Sequence, residues 1–384
     1  MIRTTGLEGY LEHVHPVHVQ LCTSLILDAL QKLRCDVRGS QPGQKLRQVA
    51  VKTSRSIITK GATAVAARNH LSLCWTMLVN GGLVTCEADG SYTRTAMPAP
   101  EKSAAELLAN TCQLYPGFQP LTELIFHLGK QLAELWVGRT DSVKITFGSA
   151  YGRRLLDNVY GPSHPCKTFH ALMEDFMSRL LNSDHLTSQS LDYSCGPAAF
   201  NILELGSGTG GTTKWLAPLL ERQHRMHGTR FTYTFTDLGS SFVAQAARTF
   251  AQYADFMTFM TLDIDESMPP PSLVGSQHVV IAVNVVHATV NITKSLRNLR
   301  RFLRPDGFAL IMEIEEPLCC TEFVFGIFEG WWRFGDGRAR ATTNIPVWQE
   351  AFREAGFGHI DWTRGALPDS KVQRVYLAMN DRTV

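Results

Sequence analysis

Residues 201–213 read Asn201-Ile-Leu-Glu-Leu-Gly-Ser-Gly-Thr-Gly-Gly-Thr-Thr213, and their pattern predicts the fold of the surrounding domain. Its apolar residues before Gly206 predict a short buried strand, and Thr212–Leu220 predicts the helix that follows. Gly206, Gly208 and Gly210 allow a sharp turn and a close approach of the backbone to a ligand. A strand, a glycine-rich turn and a helix in this order are typical of the ligand-binding corner of a doubly wound α/β sheet.

The spacing of the glycines indicates which ligand binds. Dinucleotide sites use Gly-x-Gly-x-x-Gly, so that a pyrophosphate lies at the helix N-terminus, whereas this chain has Gly-x-Gly-x-Gly. Glu204 adds a carboxylate at the same corner, which would repel phosphate but suits a ligand that carries an ammonium group and a sulfonium cation. We therefore predict S-adenosyl-L-methionine as the cofactor, in contact with Glu204 and the three glycines.

Four further strands are predicted, separated by helical segments, and acids lie at the ends of two of them. Arg230–Asp237 alternates in polarity, and Asp237 at its tip is placed to accept both ribose hydroxyls. Phe256–Asp265 reads as the next strand, and Asp263 is placed to accept from the adenine amino group. Either acid could instead be a helix cap or a solvated loop charge. The last two strands are predicted at His278–His287 and Leu303–Glu316, the second containing a turn at Pro305–Gly307.

Composition and charge limit the classes of partner. With 37 Lys and Arg against 35 Asp and Glu, the net charge of +2 gives no general attraction to nucleic acid or membrane. No run of eighteen apolar residues and no signal-peptide pattern is present, which predicts a cytoplasmic protein. The 9 cysteines are odd in number and never spaced Cys-x-x-Cys, which favours reduced thiols over a disulfide framework or a zinc site. We expect no metal.

We predict two domains, an N-terminal mainly helical domain over residues 1–150 and a cofactor-binding domain over residues 151–384. In the first, a helix ends at Asn80–Gly82, and two β-rich pieces then flank a turn at Ala88–Gly90. A helix followed by such a hairpin resembles a winged helix. Further helices are predicted over residues 13–34, 103–112, 122–138 and 168–182.

A winged helix raises the possibility of nucleic-acid binding. The balanced charge of the chain favours a solvated helical face instead, and a lid or dimerisation module fits better than a DNA reader. A basic face could also receive an acidic protein. The basic residues before the hairpin are Lys45, Arg47, Lys52, Arg55 and Lys60.

The end of the fourth strand carries the predicted chemistry. Enzymes that methylate exocyclic amines have Asn/Asp-Pro-Pro-aromatic here, whereas this chain has Asn284-Val-Val-His287. An imidazole in place of the amine clamp indicates a general base, although a structural or capping histidine is the alternative. We also count Asn284 among the cofactor contacts.

A catalytic imidazole works best when a carboxylate fixes its tautomer, and the fifth strand offers three candidates. Glu313 lies deepest in the strand, where a lone carboxylate would be costly to bury, so we predict that it pairs with His287. Glu315 shares its face, and Glu316 takes the other. We expect these two acids to face solvent or to act as caps.

Several motifs together resemble the C-methyltransferase domain of fungal non-reducing iterative polyketide synthases. The Gly-x-x-Glu-Gly-Trp-Trp run within Phe325–Trp332 is the most specific of them, and the segment before residue 150 resembles the helical region that precedes the catalytic fold in this family. Ser207 and Glu315 depart from the usual pattern, where Ala and Thr are found. The matching segments are Glu204–Thr213, Thr234–Asp237, Asn284–Thr289, Leu303–Phe308, Phe325–Trp332 and Ala355–Thr363.

The resemblance implies a class I methyltransferase with a Rossmann-like doubly wound sheet. It also implies a β-ketoacyl substrate, tethered as a thioester to the phosphopantetheine arm of an acyl carrier protein, beside other synthase domains such as a ketosynthase. His287, oriented by Glu313, would take the α-proton, and methyl transfer to the resulting enolate carbon would leave S-adenosyl-L-homocysteine. Tyr160 matches a lid residue over the cofactor or the acyl chain, with a core tyrosine as the alternative.

Trp331 and Trp332 are candidates for the wall of the acyl pocket, although aromatic residues at this spacing are more often core. Arg338 and Arg340 could contact a phosphopantetheine phosphate, but a surface role is favoured. Two rival functions stay open at this point. One is an O-methyltransferase for a small hydroxylated metabolite, and the other is a non-catalytic cofactor-binding scaffold or nucleic-acid module.

Overall fold

The computed structural model describes residues 1–49, 51, 62–183, 199–266, 269–315 and 318–380. The chain forms two compact units. The sheet unit comprises Met1–Thr5, Pro165–Glu316 and Phe334–Val384, and the helical unit comprises Gly6–His164 and Pro317–Arg333. The domain boundary at residue 150 stays a prediction; the helical unit extends to His164 and includes a second, later segment.

The helices and strands are numbered in chain order. The helices are α1 (Ile2–Thr5), α2 (His15–Lys32), α3 (Ala62–Asn80), α4 (Ala104–Leu114), α5 (Gln119–Gly129), α6 (Leu132–Trp136), α7 (Ser142–Phe147), α8 (Ala150–Tyr160), α9 (His164–Leu181), α10 (Thr213–His227), α11 (Ser240–Thr249), α12 (Ile292–Arg300), α13 (Cys319–Phe325) and α14 (Ile345–Ala355). The strands are β1 (Val84–Cys86), β2 (Tyr92–Arg94), β3 (Phe200–Leu205), β4 (Phe231–Asp237), β5 (Met257–Thr261), β6 (Gln277–Val283), β7 (Leu303–Ile314), β8 (His359–Trp362) and β9 (Gln373–Met379).

Seven strands form one sheet in the order β5-β4-β3-β6-β7-β9-β8. The first five are parallel, and β9 runs antiparallel to both of its neighbours. The central strands are apolar and buried on both faces, as expected of a parallel sheet covered on both sides. The chain proceeds outward from β3 in one direction and then from β6 in the other. The carboxyl ends of β3 and β6 therefore meet at the switch point where such sheets bind ligands. The predicted doubly wound α/β fold is confirmed.

One face of the sheet packs on α12 and α14. Leu203 and Val280 from the strands join Leu299, Trp348 and Phe352 from the helices in one buried cluster. Helix α12 begins at a side-chain cap, because Asn291 Oδ1 accepts from the backbone N–H of Lys294 at 2.8 Å. This packing places the segment between β6 and α12 beside the carboxyl end of the sheet.

Three details differ from the sequence prediction. The turn at Pro305–Gly307 is an irregularity within β7, where the pairing shifts between Gln277 and Val279. Strands β8 and β9 were not predicted. The helix predicted over residues 122–138 is wrong as a single helix, because α5 ends at Gly129. A Cβ there would lie 2.5 Å from Cδ1 of Leu25, so the glycine allows α5 to pack closely on α2.

The hairpin predicted in the helical unit is confirmed. Strands β1 and β2 pair antiparallel, with Thr85 opposite Thr93. Lys45, from the basic group before the hairpin, donates to Asp89 at 2.7 Å, which offsets part of the positive charge. Lys52, Arg55 and Lys60 lie outside the described residues. None of the described helices is long and apolar enough to cross a membrane.

Candidate active site

A buried histidine–glutamate pair lies at the carboxyl ends of the neighbouring strands β6 and β7. A single 3₁₀ turn, Val286–Ala288, follows β6 and carries His287. The Nδ1 atom of His287 lies 2.5 Å from Oε2 of Glu313, and the two residues are 5% and 0% exposed. The structure thus brings the two predicted side chains into contact, and their catalytic role stays a prediction.

The second carboxylate oxygen of Glu313 accepts hydrogen bonds from backbone N–H groups of the same turn. Oε1 accepts from the N–H groups of Val286 at 2.8 Å, Val285 at 3.2 Å and His287 at 3.4 Å. These bonds offset the cost of a carboxylate with no solvent exposure. When the imidazole donates its Nδ1 proton to Glu313, Nε2 carries the lone pair that a base requires.

Asn284 adopts an unusual conformation next to this pair. Its φ is 54°, in the left-handed region that asparagine tolerates better than most residues, and its N–H donates to the carbonyl of Met312 at 2.7 Å. Its Oδ1 is buried and has no hydrogen-bond partner among the described residues. Since buried acceptors are normally satisfied, this oxygen suits a donor on a bound ligand.

The three glycines of the turn after β3 have positive φ angles and differ in the space available to an added Cβ. Gly206, with φ 60°, would place a Cβ 2.4 Å from Cγ2 of Val285. Gly210, with φ 78°, would place one 2.7 Å from the ring of Phe250. A Cβ on Gly208, with φ 52°, would approach only a backbone oxygen, at 4.0 Å. The turn is therefore packed at both ends and leaves space at its centre, as a ligand cradle requires.

Glu204 lies beneath this turn and is 2% exposed. Its Oε2 accepts hydrogen bonds from Oγ1 of Thr213 at 2.8 Å and from the hydroxyl of Tyr233. Burial raises the pKa of Glu204 to about 7, although both hydrogen bonds act in the opposite direction. Sequence reasoning missed Thr213 and Tyr233; a tyrosine within a buried strand, which needs a partner for its hydroxyl, was the available signal.

Two acids, Asp237 at the last position of β4 and Asp263 just after β5, accept hydrogen bonds from backbone amides. Asp237 accepts from the N–H groups of Gly208 at 2.9 Å and Gly239 at 2.7 Å, and burial raises its pKa. Asp263 accepts from the N–H of Asp265 at 2.8 Å. A carboxylate oxygen accepts more than one hydrogen bond, so these contacts leave capacity for ribose and adenine donors. Their cofactor roles stay predictions.

Comparison with known proteins places this geometry in a family. Residues 203–309 match a family model described as a methyltransferase domain. The solved structure of the citrinin polyketide synthase CMeT domain is 33% identical, with a TM-score of 0.88 over 99% of this chain and 93% of that one. This chain belongs to the C-methyltransferase (CMeT) domain family of polyketide synthases. The family predicted from the sequence is thereby confirmed, and the non-catalytic alternative is set aside.

Curated relatives of this CMeT domain are much longer proteins. The chain is 37% identical over 97% of its length to the non-reducing polyketide synthase tazA of Aspergillus terreus, and 38% identical over 98% to the 3-methylorcinaldehyde synthase tropA of Talaromyces stipitatus. It spans 14% and 13% of those two proteins. The structures of the CurJ and DszA carbon methyltransferases, both 20% identical with TM-scores of 0.78 and 0.76, share its fold.

As a methyltransferase, the CMeT domain uses S-adenosylmethionine, and its residues fit that cofactor. The unpartnered Oδ1 of Asn284 suits the donor groups of the methionyl part, and the space over Gly208 admits a ligand against the backbone. Asn284, Asp237 and Asp263 are the side chains that would hold it. The described residues contain no group of three or more His, Cys, Asp or Glu arranged to hold a metal ion.

Two predictions about charged residues of the CMeT domain are wrong. Glu315 does not face solvent, because its side chain is 10% exposed and accepts from Nε of Arg374 on the unpredicted strand β9. Arg338 does not lie at the surface, because its side chain is 7% exposed and donates to the backbone near His287. Glu316 lies outside the described residues.

The predicted lid and acyl-pocket residues belong to the helical unit of the CMeT domain. The rings of Tyr160 and Phe325 lie 6.0 Å apart, and those of Phe325 and Trp331 lie 5.8 Å apart. Trp332 donates from Nε1 to the carbonyl of Gly326 at 2.8 Å. Within this unit, Tyr160 and Trp331 thus join one aromatic cluster through Phe325, and their roles toward ligands stay predictions.

Replacing Gly206 with alanine is expected to destabilise the CMeT domain and to weaken S-adenosylhomocysteine binding. The substitution adds a clash with Val285 to the backbone strain of a positive φ. Gly275→Ala is the matched control, because Gly275 has the same φ of 60° and no atom within 4 Å of an added Cβ. In the control, urea unfolding should show that the free energy of unfolding falls by about 1 kcal/mol. Ligand titration should show that its affinity for S-adenosylhomocysteine is unchanged. Equal losses in both variants would refute the packing argument.

Glu204→Gln is expected to change how stability depends on pH. Because the folded state raises the pKa of Glu204 from its ordinary 4.5 to about 7, the contribution of Glu204 to the free energy of unfolding is largest below pH 4.5 and is lost as pH rises through 7. This loss amounts to on the order of 3 kcal/mol. The Glu204→Gln variant lacks that charge, so its free energy of unfolding relative to wild type should increase between pH 5 and pH 8. If denaturant titrations gave parallel plots of unfolding free energy against pH for wild type and Glu204→Gln, burial of the Glu204 carboxylate would not raise its pKa.

Proposed function

We propose that this domain transfers the methyl group of S-adenosylmethionine to the α-carbon of a β-ketoacyl chain, tethered as a thioester to an acyl carrier protein. His287 acts as the general base, and Glu313 orients it. The observation that carries the proposal is the contact of 2.5 Å between Nδ1 of the imidazole and the fully buried carboxylate.

The chemistry of this pair suits a carbon acid. A carbon between two carbonyls needs only modest help from a base, and imidazole titrates near neutral pH. Nε2 of His287 takes the α-proton, and the carboxylate of Glu313 offsets the imidazolium charge that forms. The bound cofactor supplies an electrophilic methyl, so the C–C bond forms as the sulfur–methyl bond breaks and S-adenosylhomocysteine is left. The imidazolium then returns its proton to solvent.

The relatives support the proposal that the substrate is tethered to a carrier protein. They are polyketide synthases in which a segment like this chain is about one-seventh of the protein. We therefore propose that an acyl carrier protein presents the chain and that a ketosynthase is among the neighbouring domains. In this proposal Tyr160 acts as a lid residue, and Trp331 and Trp332 form part of the wall around the acyl chain.

The requirement for a 3-keto group tests the proposal. Pantetheine and carrier-protein thioesters of one chain length, with and without the 3-keto group, are incubated with the domain and methyl-labelled cofactor. Only the 3-keto compounds should accept label, because a saturated thioester lacks a sufficiently acidic α-hydrogen. Transfer to a free phenol or hydroxy acid, with no transfer to the 3-keto thioesters, would support the rival O-methyltransferase instead.

A further inference from the structure

The main chain of the His287 turn is held by a buried arginine. Arg338 donates from Nη1 to the carbonyls of His287 and Ala341 and from Nη2 to the carbonyl of Thr289, each at 2.9 Å. Its side chain is 7% exposed. One guanidinium thus spans the turn that carries the proposed base and the segment that contains Arg338 itself.

Asp336 completes this arrangement. Its Oδ1 accepts from Nε of Arg338 at 2.7 Å, and its Oδ2 accepts from the N–H of Ile292 at 3.0 Å. The adjacent Gly335 N–H donates to the carbonyl of Val290 at 2.8 Å. The backbone from residue 287 to residue 292 is therefore fixed along its length by residues 335–338.

The ion pair of Asp336 and Arg338 does more than stabilise the start of helix α12. Helix α12 already has its own cap at Asn291, so Asp336 and Arg338 are not required to start it. A buried ion pair is also weak evidence for stability, because desolvation of both groups offsets much of their attraction. The distinctive feature of this pair is its place, since its donors reach the carbonyl of the residue that carries the imidazole.

We propose that Arg338, held by Asp336, is a positioning residue that fixes the backbone of His287 so that its ring stays paired with Glu313. The imidazole is then held at two points, by the carboxylate at Nδ1 and by the guanidinium at the main-chain oxygen. A displacement of about 1 Å at a catalytic group can cost about 10²-fold in rate, so loss of one anchor is expected to lower kcat. Because the role of His287 as a base is itself proposed, this inference rests on the proposed function.

The test compares Arg338→Met and Arg338→Lys with Arg94→Met. Arg94 is a matched control, because it is also buried and donates to three carbonyls, those of Val37, Leu83 and Thr95, but lies in the helical unit. Arg338→Met should lower kcat about 10- to 100-fold while the Kd for S-adenosylhomocysteine changes less than about twofold. Lysine cannot span three carbonyls, so Arg338→Lys should give an intermediate kcat. Arg94→Met should lower the melting temperature and leave kcat of the folded protein nearly unchanged.

Proton NMR of the His287 ring separates this inference from the proposed function. A hydrogen bond from Nδ1 to a buried carboxylate gives a downfield proton signal, which should move or vanish in Arg338→Met and persist in Arg94→Met. An unmoved signal together with an unchanged kcat would overturn the positioning role. If the signal moves while His287→Ala retains full activity, the proposed base is wrong but the positioning of the ring stands.

Discussion

Replacing His287 with alanine is expected to lower kcat for methyl transfer by roughly 10²- to 10⁴-fold, the usual contribution of a general base. The predicted cofactor contacts come from the glycine-rich turn, Asp237, Asp263 and Asn284, so the affinity for S-adenosylhomocysteine should change less than about twofold. Single-turnover transfer from methyl-labelled cofactor measures the rate, and calorimetric titration of the product cofactor measures the affinity.

His278→Ala is the control for this experiment. His278 lies near the start of strand β6, at the opposite end from the turn that carries His287, and its Nδ1 accepts from the N–H of Asn201 at 2.9 Å. Its removal should leave kcat within a few-fold of wild type. Retained turnover in His287→Ala, or equal losses in both variants, would exclude His287 as the base.

Replacing Glu313 with glutamine is expected to be nearly as damaging, for a different reason. The side chain keeps its shape, and its carbonyl oxygen can still accept from the N–H groups of the turn after β6. Its amide group must then donate toward Nδ1 of His287, which places the ring proton on Nε2 and removes the lone pair from the reactive side. A reversed tautomer of this kind costs about 10⁴-fold in kcat in serine proteases, so a loss of roughly 10²- to 10⁴-fold is expected.

The double variant His287→Ala/Glu313→Gln distinguishes this account from two independent effects. When two residues act as one unit, changing both lowers kcat little more than changing one. The kcat of the double variant should therefore fall no lower than that of the less active single variant. Multiplicative losses, or a Glu313→Gln variant with near-normal kcat, would show that the carboxylate does not act through the imidazole. Glu313→Ala is less informative, because it leaves the backbone N–H groups of the turn without an acceptor. Each unsatisfied buried donor costs about 1–3 kcal/mol of stability.

The parts of the site that the sequence predicts are those that a parallel sheet fixes locally. The glycine spacing predicts the cofactor turn, and the carboxyl ends of adjacent parallel strands meet at one edge. His287 after β6 and Glu313 near the end of β7 are therefore neighbours for a reason readable from strand order. The three glycines were predicted for their backbone freedom. The packing of Val285 against the turn became visible only in three dimensions.

The parts that the sequence does not predict depend on contacts between distant segments. Glu315 is buried because Arg374 reaches it from β9, an antiparallel strand that inserts between β7 and β8. Arg338 follows His287 by 51 residues, and no periodic pattern links a loop arginine to a distant carbonyl. Both errors came from reading a charged side chain as solvated when its partner lay elsewhere in the chain.

If His287 is the base for C-methylation, the cofactor's methyl group becomes bonded to the α-carbon only when that imidazole is present. A β-ketoacyl pantetheine thioester labelled with ¹³C at the α-carbon is incubated with cofactor labelled with ¹³C at its methyl group, and the product is examined by carbon NMR. Wild-type protein should give a methyl signal split by one-bond coupling to the α-carbon, and His287→Ala should give none above background. An unsplit methyl signal at an oxygen-bound shift, or a split signal formed as fast by His287→Ala, would contradict the account.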